Sequence, residues 1–166
     1  LGSSNEGVVF KLMKDLDLTD FISDNFPSEG WMPVGVESTP FQGKFYGNNH
    51  TISGMWINRT STDNIGLFGY VSGATIKDLN LQGKGVVGKA NVGGLCGYSV
   101  SSSFTNCSSE FTCVSGSTKV GGLIGQITST SVTQAGHAGE VKGASSHIGG
   151  LIGGASLKEE FGDKYL

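Results

Sequence analysis

Two carboxylates stand in a stretch that is otherwise nearly free of charge. Between Gly85 and Leu157 the charged residues are Lys89, Glu110, Lys119, Glu140 and Lys142. Glycoside cleavage uses such a pair, one group as acid and the other as base or nucleophile. Glu110 and Glu140 lie 30 residues apart, close to one turn of the repeat described below, so neighbouring rungs could bring them near each other. Glutamates at surface corners are the commoner use of such residues. Asp15, Asp17 and Asp20 form the densest acidic cluster. It lacks the glycine and distal glutamate of an EF-hand loop, and alternation puts Asp15 and Asp17 on one solvated strand face. His50, His137 and His147 precede Thr51, Ala138 and Ile148, so no His-Glu-x-x-His zinc motif exists. His137 and His147 are expected at solvated corners. No Gly-x-Ser-x-Gly elbow occurs, and no Gly-Lys-Ser/Thr follows the glycine-rich phrases. The expectation is a chain with no catalytic residues, no metal site and no cofactor.

Binding needs less than catalysis. Trp31, Tyr46, Trp56, Tyr70 and Tyr98 are amphipathic aromatics that can stack on sugars or anchor a protein interface. Core packing competes for both tryptophans. Most of the five lie in the first part of the chain, where a ligand surface is therefore sought.

The elements that must hold these residues are written as a repeat. Ile65-Gly66-Leu67-Phe68-Gly69 is followed by Val92-Gly93-Gly94-Leu95-Cys96-Gly97, Val120-Gly121-Gly122-Leu123-Ile124-Gly125 and Ile148-Gly149-Gly150-Leu151-Ile152-Gly153. Successive leucines of the phrase are 28 residues apart. A fixed period with a fixed phrase marks one supersecondary unit stacked on its copies. Each period holds three apolar patches separated by polar corners, which predicts one coil of a parallel β-helix with rungs about 4.8 Å apart. Ile76, Phe104 and Val132 align as one interior column, and Phe68, Cys96, Ile124 and Ile152 as another. Cys107 aligns with Leu79 and Ala135, so Cys96 and Cys107 read as small hydrophobes. With Cys113 the cysteines number three, which cannot all pair within the chain. A tandem helical repeat fails, because glycine pairs recur where helix interiors would fall.

Residues 1–64 do not follow the phrase and are expected to supply lead-in strands and an end cap. A strand is expected within Gly7–Leu18, with Phe10, Leu12, Leu16 and Leu18 alternating against Lys and Asp. A loop follows, with a short helical turn at Asp20-Phe21-Ile22. Residues 65–153 form the coils. Residues 154–166 are a tail or cap, in which Ser156 to Glu159 matches a helix capping box and Leu157, Phe161 and Tyr165 share a face. All three belong to one structural domain.

Bulk composition agrees. Glycine makes up 28 of 166 residues, and charged residues only 15%, against a usual share of about 25%. Glycine at tight corners and close backbone approaches suits a solenoid. The net charge is −3 and Arg59 is the sole arginine, so no basic stripe exists for nucleic acid. No apolar run reaches membrane-spanning length.

The phrase at 120–125 and its copies, with Trp31-Met32-Pro33-Val34-Gly35 and the run from Phe41 to Gly54, resembles the GLUG repeats of bacterial surface and secreted proteins. The resemblance covers roughly Gly7 to Gly153. Tyr46 departs from it, standing where an acidic residue is common. It implies a right-handed parallel β-helix outside the cytoplasm, on a bacterial surface or secreted, as in adhesins and the non-catalytic regions of immunoglobulin-A-cleaving metalloproteases. No catalytic residue transfers from it. The expected function is a non-catalytic, adhesin-like module for a host or environmental glycan or an extracellular protein, within a larger chain and without membrane insertion. The alternatives are a structural spacer inside a larger secreted protease or surface protein, and a polysaccharide-active β-helix enzyme.

Overall fold

The computed structural model describes residues 5–157. In chain order the first strands are β1 (Val9–Lys11) and β2 (Leu16–Asp17), then helix α1 (Thr19–Asn25), β3 (Lys44–Tyr46) and β4 (Thr51–Asn58). The first full coil has β5 (Phe68–Ser72), β6 (Thr75–Val87) and β7 (Ala90–Val92). The second has β8 (Cys96–Val100), β9 (Ser103–Gly116) and β10 (Thr118–Gly121). The third has β11 (Ile124–Thr128), β12 (Ser131–Gly143) and β13 (Ile148–Gly149), and β14 (Ile152–Ser156) begins the fourth.

All pairing between these strands is parallel, and each coil lies on the one before it. The chain is thus a parallel β-solenoid with a spacing of about 28 residues. Strands β5, β8, β11 and β14 stack as one face, and β7, β10 and β13 as a second. The third and longest face carries β1 and β2 at one end, then β3 and β4, then β6, β9 and β12. The N-terminal segment therefore supplies the first rungs in register, with Phe10 over Phe45 and Leu16 over Ile52.

The interior consists of columns. Phe45, Ile76, Phe104 and Val132 are successive partners, as are Leu79, Cys107 and Ala135. Phe68, Cys96, Ile124 and Ile152 form the column on the neighbouring face. Phe104, Cys96 and Ile124 are wholly buried. Each such side chain contributes about 1.5–3 kcal/mol by leaving water. Burial falls away at the last rung, where Val132, Ala135 and Val141 are only partly covered. At the other end α1 closes the stack, burying Ile22 completely.

Three differences from the sequence reading have local causes. The second and third apolar patches of each period form one continuous strand, because Gly83 lets the chain bend past Met55 and Phe111 without leaving the ladder. The strand expected across Gly7–Leu18 is split in two, with Leu18 buried but Leu16 exposed. The fourth copy does not stop at Gly153, since β14 pairs with β11 through Ser156. The capping box and helical face read at the tail lie mostly outside the described residues.

The corners are set by backbone conformation at fixed positions. Gly73, Ser101 and Ser129 adopt φ of +65°, +47° and +47°. Asp78, Asn106 and Gln134 do so at +55°, +52° and +49°, and Asn91, Lys119 and His147 at +53°, +54° and +62°. Left-handed residues thus recur in three files, each 28 apart. Such a conformation costs an ordinary L-residue roughly 1–2 kcal/mol and is tolerated best by Gly, Asn and Asp. Side-chain ladders support it. Asn106 Nδ2 donates to Asp78 Oδ1 at 2.9 Å and to Asn49 Oδ1 at 3.2 Å. Asn91 Nδ2 donates to Asn64 Oδ1 at 2.8 Å. Asn106→Ala is expected to lower unfolding stability by about 1–2 kcal/mol, and Asn106→Gly by less, because glycine keeps the backbone and loses only the ladder. Urea titration of the two variants checks this ordering.

Candidate binding surface

The solenoid distributes the five candidate aromatics over three places. Trp31 is half-buried under the cap. Its backbone N–H donates to the Trp56 carbonyl at 2.8 Å and its indole N–H to the Leu67 carbonyl at 3.0 Å. Those bonds tie the N-terminal link to the first coil, so Trp31 is a packing residue. Trp56 sits in β4, partly packed on the core, and lines a 210 Å³ pocket with Thr19, Ser23, Pro27, Gly54 and Lys84. Tyr46 in β3 lies beneath the ammonium of Lys77, 4.4 Å from its ring centroid.

Tyr70 and Tyr98 are brought together. They are register partners in β5 and β8, with ring centroids 5.0 Å apart and planes at 84°. Edge-to-face pairs of this kind are worth about 0.5–1.5 kcal/mol beyond their buried area. Below them the column continues as Gln126 and Gly154. Gly154 leaves room that a Cβ would take from the Gln126 amide. Beside them runs a polar row: Tyr98 Oη lies 3.1 Å from Thr128 Oγ1, and Thr128 Oγ1 lies 3.0 Å from Ser156 Oγ. Gln126 Nε2 donates to the Ile127 carbonyl at 3.0 Å and to Ser156 Oγ at 3.3 Å. Partial burial, the neighbouring Tyr98 and the Glu37 carboxylate all push the Tyr70 phenol above its usual range, so both rings stay neutral near pH 7. Two aromatic rings bordered by an amide and hydroxyls make an uncharged platform. Gln126, Thr128 and Ser156 were not singled out from the sequence; their signal was the spacing of 28 from Tyr98, Val100 and Thr128.

The residues with catalytic potential are not assembled. Glu110 in β9 faces Ala138 across the rungs, while Glu140 faces Cys113, because the register between β9 and β12 shifts past Ala138. The two glutamates are therefore not rung partners, contrary to the spacing argument. Glu110 accepts from Gln82 Nε2 at 3.4 Å and Glu140 pairs with Lys142 at 2.9 Å. Asp15 accepts from the Thr51 N–H at 2.9 Å and faces His50 Nδ1 at 3.1 Å. The first of these bonds, then the second, holds its carboxyl below the usual range. Asp17 is lowered likewise by the Thr19 hydroxyl and N–H. These carboxylates fasten the cap, which is a sufficient role for them. Among the described residues no group of His, Cys, Asp and Glu has metal-binding geometry.

His137 departs from the expected solvated corner. It continues the column of Leu81 and Ser109, and its Nδ1 lies 2.9 Å from Ser109 Oγ. Its Nε2 is buried without a hydrogen-bond partner. Ser109 is itself buried and also donates to the Gly122 carbonyl at 3.0 Å, so it is no exposed nucleophile. Burial pulls the His137 pKa below its usual value, outweighing its hydrogen bonds. The unfolded chain then binds the proton more readily, and stability falls as pH drops below about 6.5, levelling off under the folded-state pKa. His137→Leu is expected to remove that part of the pH dependence, read by urea midpoints between pH 7.5 and 5.

The cysteines pack as expected. All three are free, with Cys96 and Cys107 buried. Burial pushes the Cys107 thiol up to about 11 and raises Cys96 further. Neither is a thiolate near neutrality.

Among the described residues no helix is long and apolar enough to cross a membrane. No family model matches the chain, and no solved structure matches it. Two curated proteins do. One is named as a Gly-rich membrane protein of Evansella cellulosilytica, 39% identical over 79 residues, which is 47% of this chain and 9% of that protein. The other is halomucin of Haloquadratum walsbyi, 32% identical over 95 residues, covering 54% of this chain and 1% of halomucin. The matched region is thus a small part of each of these much longer relatives, and it is to such stretches of Gly-rich and surface-named proteins that the chain is similar.

Proposed function

We propose that this solenoid is a non-catalytic module of a cell-surface or extracellular protein, adhesin-like, that binds a glycan through the face carrying Tyr70 and Tyr98. The observation that carries the reading is the register pairing of the two tyrosines beside the Gln126, Thr128 and Ser156 row. Tyrosine rings offer rigid apolar area with a polar tip, and neighbouring hydroxyls and an amide can orient sugar hydroxyls. The uncharged platform favours a neutral polysaccharide over an acidic one. Placement at a surface accords with the names of the two relatives, a membrane protein and a halomucin. The GLUG-type phrase is consistent with the same placement.

A polysaccharide array tests this reading. Wild type is expected to bind at least one neutral glycan, and Tyr98→Ala to weaken that binding about tenfold or more, as loss of a central aromatic anchor does at other interfaces. Binding that survives the substitution unchanged would remove the Tyr70–Tyr98 face as the site. A second reading, a spacer that holds other domains apart, is favoured by one observation: the match spans only 9% and 1% of the relatives' lengths. It expects no glycan binding at all.

A further inference from the structure

The columns are well filled through the middle of the stack but leave a gap beneath the cap. A cavity of about 190 Å³ lies where the cap, the link after α1 and the first rungs meet. Leu12, Leu16 and Leu18 come from the cap, Trp31 from the link, and Phe45 and Phe68 from the rungs. Phe45 and Phe68 meet edge to face, with centroids 5.6 Å apart. The gap has a topological origin. Further into the stack a coil closes with three strands, whereas here α1 and the irregular link replace the missing ones, and bulky side chains cannot interdigitate across that change.

Every lining side chain is apolar, and the one polar side-chain atom among them is already used. The Trp31 indole N–H donates to the Leu67 carbonyl. A water molecule needs two to four polar partners to stay buried, and this cavity provides none. Apolar cavities of roughly 150 Å³ remain dry and admit benzene or xenon, so the volume here is ample for one ring. Leu18 and Phe68 are nearly fully buried, whereas Leu16 is 40% exposed, which puts the cavity within reach of solvent at the Leu16 side.

We propose that this cavity is a binding site for one small uncharged apolar molecule, an aromatic ring or a short alkyl group. Neither Tyr70 nor Tyr98 lines it, so the site is separate from the glycan platform and stands or falls independently of it. A bound molecule touches cap, link and rungs at once and stabilises their docking by mass action.

Benzene is the probe, added to the whole chain with methyl groups observed by NMR. The expected result is saturable shifts at the methyls of Leu12, Leu18 and Ile52, with a rise in melting temperature. Val34→Phe, which fills the cavity from its wall, is expected to abolish both effects while the other methyl signals keep their positions. Xenon on the wild type provides a second reading that needs no variant, with the same methyls perturbed. Shifts confined to exposed side chains such as Met13 or Leu157, no shift at saturating benzene, or an undiminished response in folded Val34→Phe would each overturn the proposal.

Discussion

Gly125→Val is expected to unfold the stack or leave it only marginally folded. A Cβ at Gly125 would stand 2.5 Å from the Asn91 carbonyl carbon, against the Val92 nitrogen, and 2.7 Å from the Gly97 oxygen. The last glycine of each copy meets the corner of the coil below in the same way. Gly97 lies against Asn64 and Ile65, and Gly153 against Lys119 and Val120. These neighbours are backbone held by the ladder, so they cannot move aside as a side chain would. Overpacking in ordinary cores costs about 1–3 kcal/mol. Here a cost of about 3–5 kcal/mol or more is expected, comparable to the whole margin of many domains. Gly73→Ala serves as a control, since a Cβ there meets nothing within 4 Å and only the positive φ opposes it. Circular dichroism through a urea titration separates the two. An equal, small effect for both would mean that the phrase glycines are not set by close coil contact.

Phe104→Ala has the next largest expected effect. Phe104 is wholly buried, with Ile76 above and Val132 below in the column. Truncation removes its transfer energy and leaves a cavity that stacked rungs, fixed by their backbone spacing, collapse into poorly. The expected loss is about 3–5 kcal/mol. Val132→Ala, one rung later in the same column, is expected to cost only about 1 kcal/mol, because that side chain is already partly in water. The contrast between the two, measured by the same titration, tests the gradient of burial toward the last rung. Equal losses would contradict it.

The period was legible because close coil contact leaves little choice of residue. Gly125, Gly97 and Gly153 must all be glycine, so backbone geometry is printed directly into the text. The interior columns were legible for a related reason: a spacing of 28 carries Ile76 onto Phe104 and Val132 wherever the ladder keeps step. Strand boundaries were less so. The polar residues Gln82 and Lys84 look like a corner, yet they lie on the outer side of a strand whose hydrogen bonds run through. The corners themselves are written in Asn91, Asn106 and Ser101, single residues scattered among other polar ones, so no composition marked them.

The site was legible only in part. Tyr70 and Tyr98 follow from the same period, and the register joins them. Trp31 and Tyr46 share their chemistry but not their place, since one is tied to the Leu67 carbonyl and the other sits under Lys77. The Glu110 and Glu140 pair failed because its spacing, 30 residues, matches no rung partner once the ladder shifts beside Gly139. His137 was missed because its column changes character, from Leu81 through Ser109 to imidazole, and a sequence does not say which side of a rung a lone histidine faces.

The most direct test of the proposed function is to map the bound glycan on the protein by NMR, while the same sample is assayed for new reducing ends. The expected result is a patch of shifted signals centred on Tyr70, Tyr98 and Thr128, with the polysaccharide left intact. Shifts elsewhere on the solenoid, or accumulating cleavage products, would contradict a binding face that does no chemistry.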